Sequence, residues 1–263
     1  MILLAIESAT DTVGAAVVRD DDGEAERIHV GGRAHAEQLA PAIREACALA
    51  GCEVTDLDRI AVDVGPGLFT GLRVGVATAK ALAQALGITV LGVGSLDILA
   101  AAARERLGAA LTGPVVAVVD ARRGEVFAAA YHFEGEPDVP DPATVRDDRA
   151  EPMAPTALEA WLSGLARGVD RVTVVGDGAR RYREQLSTHR SLDLGLADEL
   201  SSPPPLTQAH LARRRLVAGA TPAAPAELVP DYRRAADARI NWGQRIPPVR
   251  EATVGGERED WAR

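Results

Sequence analysis

Aromatic residues are scarce in this chain of 263 residues: only 3% are Phe, Trp or Tyr, whereas hydrophobic residues of all kinds make up 47%. A core with so few large rings must be built from closely packed Ala, Val and Leu. Cysteine is scarcer still, and Cys47 and Cys52 are too close together and too isolated to form a disulfide framework or a zinc site. We therefore expect two buried thiols without a structural or metal-binding role.

Long apolar runs are also missing, since no stretch of about 18 consecutive apolar residues occurs. The opening run Met1–Ile6 meets an acid at Glu7 and alternates afterwards. The sequence therefore predicts neither a membrane-spanning helix nor a signal peptide. We expect a cytoplasmic protein with no membrane partner.

Positive charge is in deficit, because 29 Lys and Arg residues face 38 Asp and Glu residues, for a net charge of -9. A protein that gripped nucleic acid alone would need a concentrated basic face to overcome this repulsion. The basic clusters at residues 180–183, 213–215 and 233–234 are small. Solvated helix faces and ends account for them better than a nucleic-acid interface does.

Familiar catalytic motifs are absent as well. The five histidines include no pair three or four residues apart that could share a metal ion on one helical face. Neither a Cys-x-x-Cys pair nor a Gly-x-Ser-x-Gly nucleophile elbow occurs. We predict no metal site and no catalytic residue from local motifs.

Hydrophobic periodicity divides the chain into two halves of similar design. In the first half the predicted strands are 2–8, 13–18, one that ends near 30, 59–64 and 88–93, and the predicted helices are 35–50, 71–86 and 95–106. A second unit begins near Gly113-Pro114, with predicted strands at 115–120, 125–133 and 172–175. This order indicates an α/β protein with mixed sheets covered by helices.

Each half opens with a hydrophobic strand that ends in an acid, Glu7 in the first and Asp120 in the second. Hydroxyls follow the first acid at Ser8 and Thr10. This layout can place a carboxylate near a metal-bound nucleotide while hydroxyls and amides contact phosphate. A polar hairpin turn with locally bonded hydroxyls is the commoner explanation. These four residues are therefore the candidate nucleotide-loop residues.

The segment from Val64 to Gly87 joins a glycine-rich loop to a helix. Gly65-Pro66-Gly67 would let backbone amides approach a phosphate, but the spacing is neither that of a Walker loop nor that of a dinucleotide fingerprint. A tight strand-to-helix turn, with Thr70 as the helix cap, is the alternative.

The helix has two apolar stripes, although a helix that covers a sheet needs only one. One stripe consists of Leu72, Val76, Ala79, Ala83 and Leu86. The other consists of Gly71, Gly75, Thr78, Ala81 or Leu82, and Ala85. The second stripe is either a face for another molecule or is covered by the chain's own helix at 35–50.

Six blocks of this sequence together resemble the bacterial TsaB family. They are ILLAIESATDTVGAAVV at the start, HAEQLAP at 35–41, GPGLFTGLRVGVATAKALA at 65–83, VGSL at 93–96, DARRGEVF at 120–127 and DYRR at 231–234. They follow the family's order, and the GPGxFTGLRVG and DARxGEV blocks are specific to it. The family often has Asp where this chain has Glu7, and the extra methylene puts an inherited metal–nucleotide geometry in doubt.

The resemblance implies the fold of the actin, Hsp70 and sugar-kinase superfamily (ASKHA), with two related subdomains. We place the first at residues 1–108 and the second at 109–240, with a C-terminal helix that could pack back on the first. We expect residues 241–263 to be a mobile tail, which has no family features.

The resemblance also implies a function. TsaB proteins help to place the N6-threonylcarbamoyl group on the adenosine next to the anticodon of tRNA (t6A), as the non-catalytic partner of TsaD, and the ATPase TsaE joins them. The implied subunit has no catalytic residue, metal or cofactor of its own. Its expected partners are TsaD, TsaE and, through the complex, tRNA. The presence of ATP or ADP with magnesium at the joint site stays open.

The family pairs through its first two helices, which correspond here to 35–50 and 71–86. The expected interface residues are Leu39, Ile43, Gly71, Leu72, Gly75, Thr78, Ala79 and Leu82. An exposed apolar face also commonly pairs two copies, so a homodimer in the absence of TsaD stays open.

The main alternative is an active enzyme of the same superfamily, an ATPase or small-molecule kinase that uses Glu7 and Asp120 around a magnesium nucleotide. Nucleotide turnover that depends on Glu7 would favour it. A peptidase, a label that this superfamily branch has attracted, is disfavoured by the missing metal pair and nucleophile elbow.

Overall fold

The structure, a computed structural model, describes residues 1–31, 35–133, 144–149 and 151–233. The strands are β1 (Ile2–Glu7), β2 (Thr12–Arg19), β3 (Glu24–Val30), β4 (Arg59–Gly65), β5 (Thr89–Gly94), β6 (Val115–Arg122), β7 (Glu125–Phe133), β8 (Thr144–Asp148), β9 (Val172–Val175) and β10 (Leu192–Asp193). The helices are α1 (His35–Leu49), α2 (Phe69–Leu86), α3 (Ser95–Leu107), α4 (Pro155–Leu165), α5 (Asp177–Arg181), α6 (Arg183–Leu186) and α7 (Pro205–Val217). The predicted tail at 241–263 lies outside the described residues.

The two sheets have the same design. The first has the order β3-β2-β1-β4-β5, and the second, read in the same direction, has the order β8-β7-β6-β9-β10. In each sheet the opening strand pairs antiparallel with the second strand and parallel with the fourth. The two-part α/β fold of the ASKHA type is therefore confirmed.

Helices cover both faces of the first sheet. Alternate residues of β1 show this, because Leu4 and Ile6 pack towards α1 and α2, whereas Leu3 and Ala5 pack towards α3 and α7. The helix α3 also packs on β6 and β9 of the second sheet and so joins the two halves. The proposed boundary near residue 108 falls between α3 and β6, and it stays a prediction.

One helix start differs from the sequence-based expectation, because α2 begins at Phe69 and not at residue 71. Within the described residues α1 begins at His35, as the sequence predicts, and runs through Pro41. Pro41 removes only one backbone donor, and the carbonyl left without it, that of Glu37, belongs to an exposed residue. The helix α2 has Leu68 as its N-cap residue and no side-chain cap, so the predicted capping role of Thr70 is wrong.

The chain after α7 returns across the first half as an extended segment, residues 223–233. Ala223 pairs with Val90 of β5, and Lys80 of α2 donates to the carbonyl of Leu228 over 3.1 Å. The Asp231 amide donates to Val64 at 2.7 Å, at the end of β4. Among the residues described, no helix is both long enough and apolar enough to cross a membrane.

Candidate functional site

Two acids meet where β1 and β4 end side by side. These strands are parallel, and the last pair in register is Ile6 with Val62, so Glu7 and Asp63 follow at the same level. Each is only 1% exposed. Their surroundings lie on the α3–α7 side of the sheet, where the hydroxyl of Ser95 donates to Asp63 Oδ1 at 2.7 Å. The site is therefore part of the core and not of an open cleft.

Burial controls the ionisation of this pair. It raises the pKa of Glu7 well above the ordinary value of 4.5, and the negative charge of Asp63 adds to the effect. Burial also raises the pKa of Asp63, to about 6, although hydrogen bonds to this carboxylate oppose the shift. The two side chains lie within hydrogen-bonding reach of each other. Burial and the neighbouring charge thus favour the protonated form of Glu7, whereas hydrogen bonds favour the charged form of Asp63.

Asp63 is a site residue that the sequence-based interpretation missed. It closes an apolar run near the end of its strand, as Glu7 and Asp120 do. The same signal of an apolar run closed by an acid identifies it. Its position next to Glu7 depends on the sheet order, which places β4 beside β1.

The hydroxyl loop after Glu7 is bonded within the chain. The Ser8 hydroxyl donates to the carbonyl of Gly71 at 2.9 Å, and the hydroxyls of Thr10 and Thr12 lie 3.1 Å apart. The carbonyl of Thr10 contacts Nε2 of His35 at 2.7 Å. Ser8 and Thr10 are each 1% exposed. The hydroxyl of Thr10 is thus bonded locally, whereas that of Ser8 is bonded to α2.

Glycines in α2 and in the loop before it allow the backbone of the loop after β1 to approach closely. A Cβ added at Gly67 would lie less than 3.0 Å from the carbonyl oxygen of Ala9, and one at Gly71 would lie equally close to that of Ser8. The Leu68 amide donates to the Ala9 carbonyl at 2.7 Å. The loop after β1 therefore occupies the position in front of α2 where a phosphate would have to bind.

Asp120 lies at the end of β6, and cations already surround it. It accepts from Arg122 Nη1 at 3.2 Å and from Arg181 Nη1 at 3.4 Å. Its own amide donates to Asp177, whose pKa burial raises to about 6. A second bond of 2.7 Å runs from Arg122 Nη2 to Asp11 in the first half. Arg122 thus links the two halves at the point where their opening strands end.

These contacts do not fit a site for a magnesium nucleotide. A magnesium ion binds accessible, ionised oxygen ligands and keeps several waters, but Glu7 is sealed and favours its protonated form. Asp120 is paired with two guanidinium groups, and the loop amide of Leu68 is bonded to Ala9. In the part of the chain that the structure describes, no group of three or more His, Cys, Asp or Glu side chains that could hold a metal ion occurs.

Most of the predicted interface residues lie inside the chain. Leu39, Ile43, Gly71, Leu72, Gly75 and Ala79 are buried, and Thr78 and Leu82 are half-buried. Gly75, for example, faces the side chain of Ser8. The six buried residues offer little surface to a partner, and the predicted partner interface at the eight positions stays a prediction. The first sheet covers the first stripe, and the loop after β1 covers the start of the second stripe at Gly71 and Gly75.

The exposed side of α2 carries a different set of small residues. We call this set the outer face of α2: Thr70, Val74, Ala77, Thr78, Ala81 and Ala85. At 100° per residue these positions form one stripe along the helix. The neighbouring α1 exposes Ala40, Arg44 and Ala48. These six positions carry no charged side chain, and the exposed Arg73 and Gln84 lie beside them on the solvent side of the helix.

Comparison with known protein families gives an extended match. The model of the family described as "TsaD: tRNA N6-adenosine threonylcarbamoyltransferase" matches residues 29–242. An uncharacterised protein of Mycobacterium leprae is 42% identical over 62% of this chain. This chain spans 45% of the length of that relative, which is less than half.

A crystal structure from Pseudomonas aeruginosa, titled as an uncharacterised protein with similarity to peptidase YEAZ, is 28% identical and has a TM-score of 0.67. The similarity covers 89% of this chain and 99% of that one. The tRNA threonylcarbamoyladenosine biosynthesis protein TsaB of Bacillus subtilis is 30% identical to this chain over 92% of its length and 98% of the relative's length. This chain is therefore a member of the TsaB family.

Proposed function

We propose that this chain is a non-catalytic accessory subunit in the biosynthesis of t6A in tRNA. Similarity to the TsaB protein of Bacillus subtilis, which extends over nearly the full length of both chains, supports the pathway. The match to the TsaD family model supports the idea that the partner is a related, catalytic chain. On this proposal the chain works in the cytoplasm by binding TsaD.

The observation that carries the proposal is the outer face of α2. Its six residues have short side chains, which allow a second helix to approach the backbone closely. Ala77, Ala81 and Ala85 are exposed, and they lose little rotamer freedom when they are buried by a partner. A small, uncharged stripe on the solvent side of a helix suits docking better than it suits contact with water. The exposed side of α1 extends the proposed docking surface.

The bonding of two candidate acids supports the proposal that this chain is not catalytic. Glu7 and Asp120 are the acids that an ATPase or kinase would use, and both are engaged within the chain. We propose that ATP or ADP with magnesium, where the assembly uses them, is held by TsaD and TsaE. In the same way, tRNA would be bound by the complex and not by this acidic chain alone.

A subunit of this kind can activate a partner only by binding its competent state more tightly than its incompetent state. The docking surface must supply that difference in binding free energy. We therefore expect the stimulation of TsaD to disappear together with the complex. In the absence of TsaD, we expect two copies of this chain to pair through the same surface.

Replacing Ala81 by arginine tests the proposed docking. Ala81→Arg adds a charged side chain at the centre of the outer face, and a buried charge without a partner costs about 3 kcal/mol, or roughly 100-fold in Kd. The matched control is Ala160→Arg, since Ala160 is also an exposed alanine in a helix but lies on α4 of the second half.

Light scattering on each variant, alone and mixed with TsaD from the same genome, measures the complex. We expect wild type and Ala160→Arg to form a one-to-one complex and Ala81→Arg to stay free, with unchanged circular dichroism in all three. An intact complex with Ala81→Arg would show that the outer face of α2 is not the docking surface.

A further inference from the structure

The two acids at the ends of β1 and β4 form a buried pair that plays no part in the proposed docking or function. Glu7 Oε1 accepts the Ala9 amide at 2.8 Å. Asp63 Oδ1 accepts the Gly65 amide at 2.7 Å in addition to the Ser95 hydroxyl. The other two oxygens, Glu7 Oε2 and Asp63 Oδ2, are buried, and no donor group of the described residues reaches them. Two buried acceptors that face each other require a proton or a cation between them.

We propose that a single proton, carried by Glu7 and donated to Asp63, holds the ends of β1, β4 and α3 together as a pH-sensitive junction. The proton sits on Glu7 because Asp63 already accepts two other donors, which stabilise its charged form, whereas Glu7 accepts one. The pair is then an acid that donates and a carboxylate that accepts. All four oxygens of the two side chains have a partner in this arrangement.

The groups that face the pair favour a retained proton. From α3, Asp97 adds a negative charge that raises the pKa of Asp63, although Asp97 is itself paired with Arg215 of α7 at 2.9 Å. The other group from α7 is the uncharged amide of Gln208, which donates to the carbonyl of Ile6.

The remaining neighbours carry no charge or are engaged elsewhere. Opposite Glu7 on β2 stands Gly14, and beside Asp63 on β5 stands Val93. The loop after β1 contributes the hydroxyls of Ser8 and Thr10, which are bonded to their own neighbours. From the second half, the guanidinium of Arg122 is paired with Asp11 and Asp120.

The pair lies next to α3, so its proton also affects the contact between the two sheets. Ser95 is the first residue of α3, and this helix packs on both sheets. Loss of the proton would put a second negative charge beneath the first turn of α3. The contact between the two halves of the fold is therefore expected to weaken at alkaline pH.

The direction of the pH dependence follows from proton binding. The folded chain keeps the Glu7 proton, whereas the unfolded chain releases it above the ordinary glutamate pKa of 4.5. Stability is therefore highest below that value and falls as the pH rises, until the folded pKa of Glu7 is passed. Asp63 contributes in the same direction, between its ordinary pKa of 3.8 and about 6.

The test compares the urea unfolding of wild type with that of Glu7→Gln between about pH 7 and 8.5. Glutamine has the same shape, can donate to Asp63 and has no titratable proton. We expect the unfolding constant of wild type to rise more steeply with pH than that of the variant, by at most about tenfold per pH unit. The control is Glu45→Gln, at an exposed glutamate of α1, which should follow wild type. Parallel pH profiles for wild type and Glu7→Gln would overturn the proposal.

A measurement on wild type alone covers the case in which Glu7→Gln does not fold. Infrared spectra at pH 7 should contain the carbonyl band of a protonated carboxyl group, and 13C labelling of glutamate should shift that band. A missing band, or one that does not shift, would overturn the proposal. A rise in the melting temperature of wild type on addition of magnesium or manganese would also overturn it, since the occupant would then be a cation.

Discussion

Replacing Gly71 of α2 by alanine tests the contact between this helix and the loop after β1. An added Cβ would lie less than 3.0 Å from the Ser8 carbonyl oxygen and 3.4 Å from Cδ2 of His35. The obstacle is backbone, which cannot rotate away, so α2 has to shift. Overpacking of this kind costs typically about 1–3 kcal/mol, while the better helix propensity of alanine returns up to about 1 kcal/mol. We therefore expect the free energy of unfolding to fall by about 1–2 kcal/mol.

Urea denaturation followed by circular dichroism measures this change, and Gly164→Ala is the matched control. Gly164 lies in α4, is exposed and has no atom within 4 Å of an added Cβ. The same substitution there should stabilise the chain by up to about 1 kcal/mol, because only helix propensity and the unfolded state are affected. If Gly71→Ala were as stable as Gly164→Ala, the close approach of α2 to Ser8 would be refuted.

Two further predictions concern the returning segment and the thiols. The side chain of Arg233 is 9% exposed and pairs with Asp148 of β8 and with Asp231. In urea denaturation, Arg233→Ala should therefore lower the free energy of unfolding by about 1–3 kcal/mol, and proteolysis within 223–233 should become faster. If neither value changed, Arg233 would not hold the returning segment against β8. Burial raises the pKa of Cys47 to about 12, which leaves roughly one thiolate in ten thousand at pH 8, so a thiol reagent should label Cys47 only after unfolding. Rapid labelling of Cys47 in the native protein would show that this thiol is not held in the core.

Much of the fold could be predicted from the sequence because the strands are buried on both faces. Strands β1, β4 and β6 are nearly continuous apolar runs, and a run that ends in an acid marks the end of each. The two-part organisation follows from the repetition of that signal. The sheet order was not accessible in the same way, because pairing between β1 and β4 depends on contacts across more than fifty residues of chain.

The docking surface shows where periodicity fails. Hydrophobic patterns locate the buried side of a helix by its large side chains, but both sides of α2 contain many small residues. Gly71 and Gly75 were assigned to a partner because small residues allow close approach. They do allow it, but the approaching group is the loop at Ser8.

The position of α7 sets an order of events during synthesis. Leu3 and Ala5 of the first strand pack in one cluster with Ala209 and Leu211, and Gln208 bonds to Ile6. A ribosome must therefore add some two hundred residues before the opening strand gains its full cover. Until then, one face of the first sheet depends on α3 alone, and chains that end before α7 would leave apolar surface open to aggregation or chaperones. The first half of the chain leaves the ribosome first, but its sheet is fully covered only after α7 has been made.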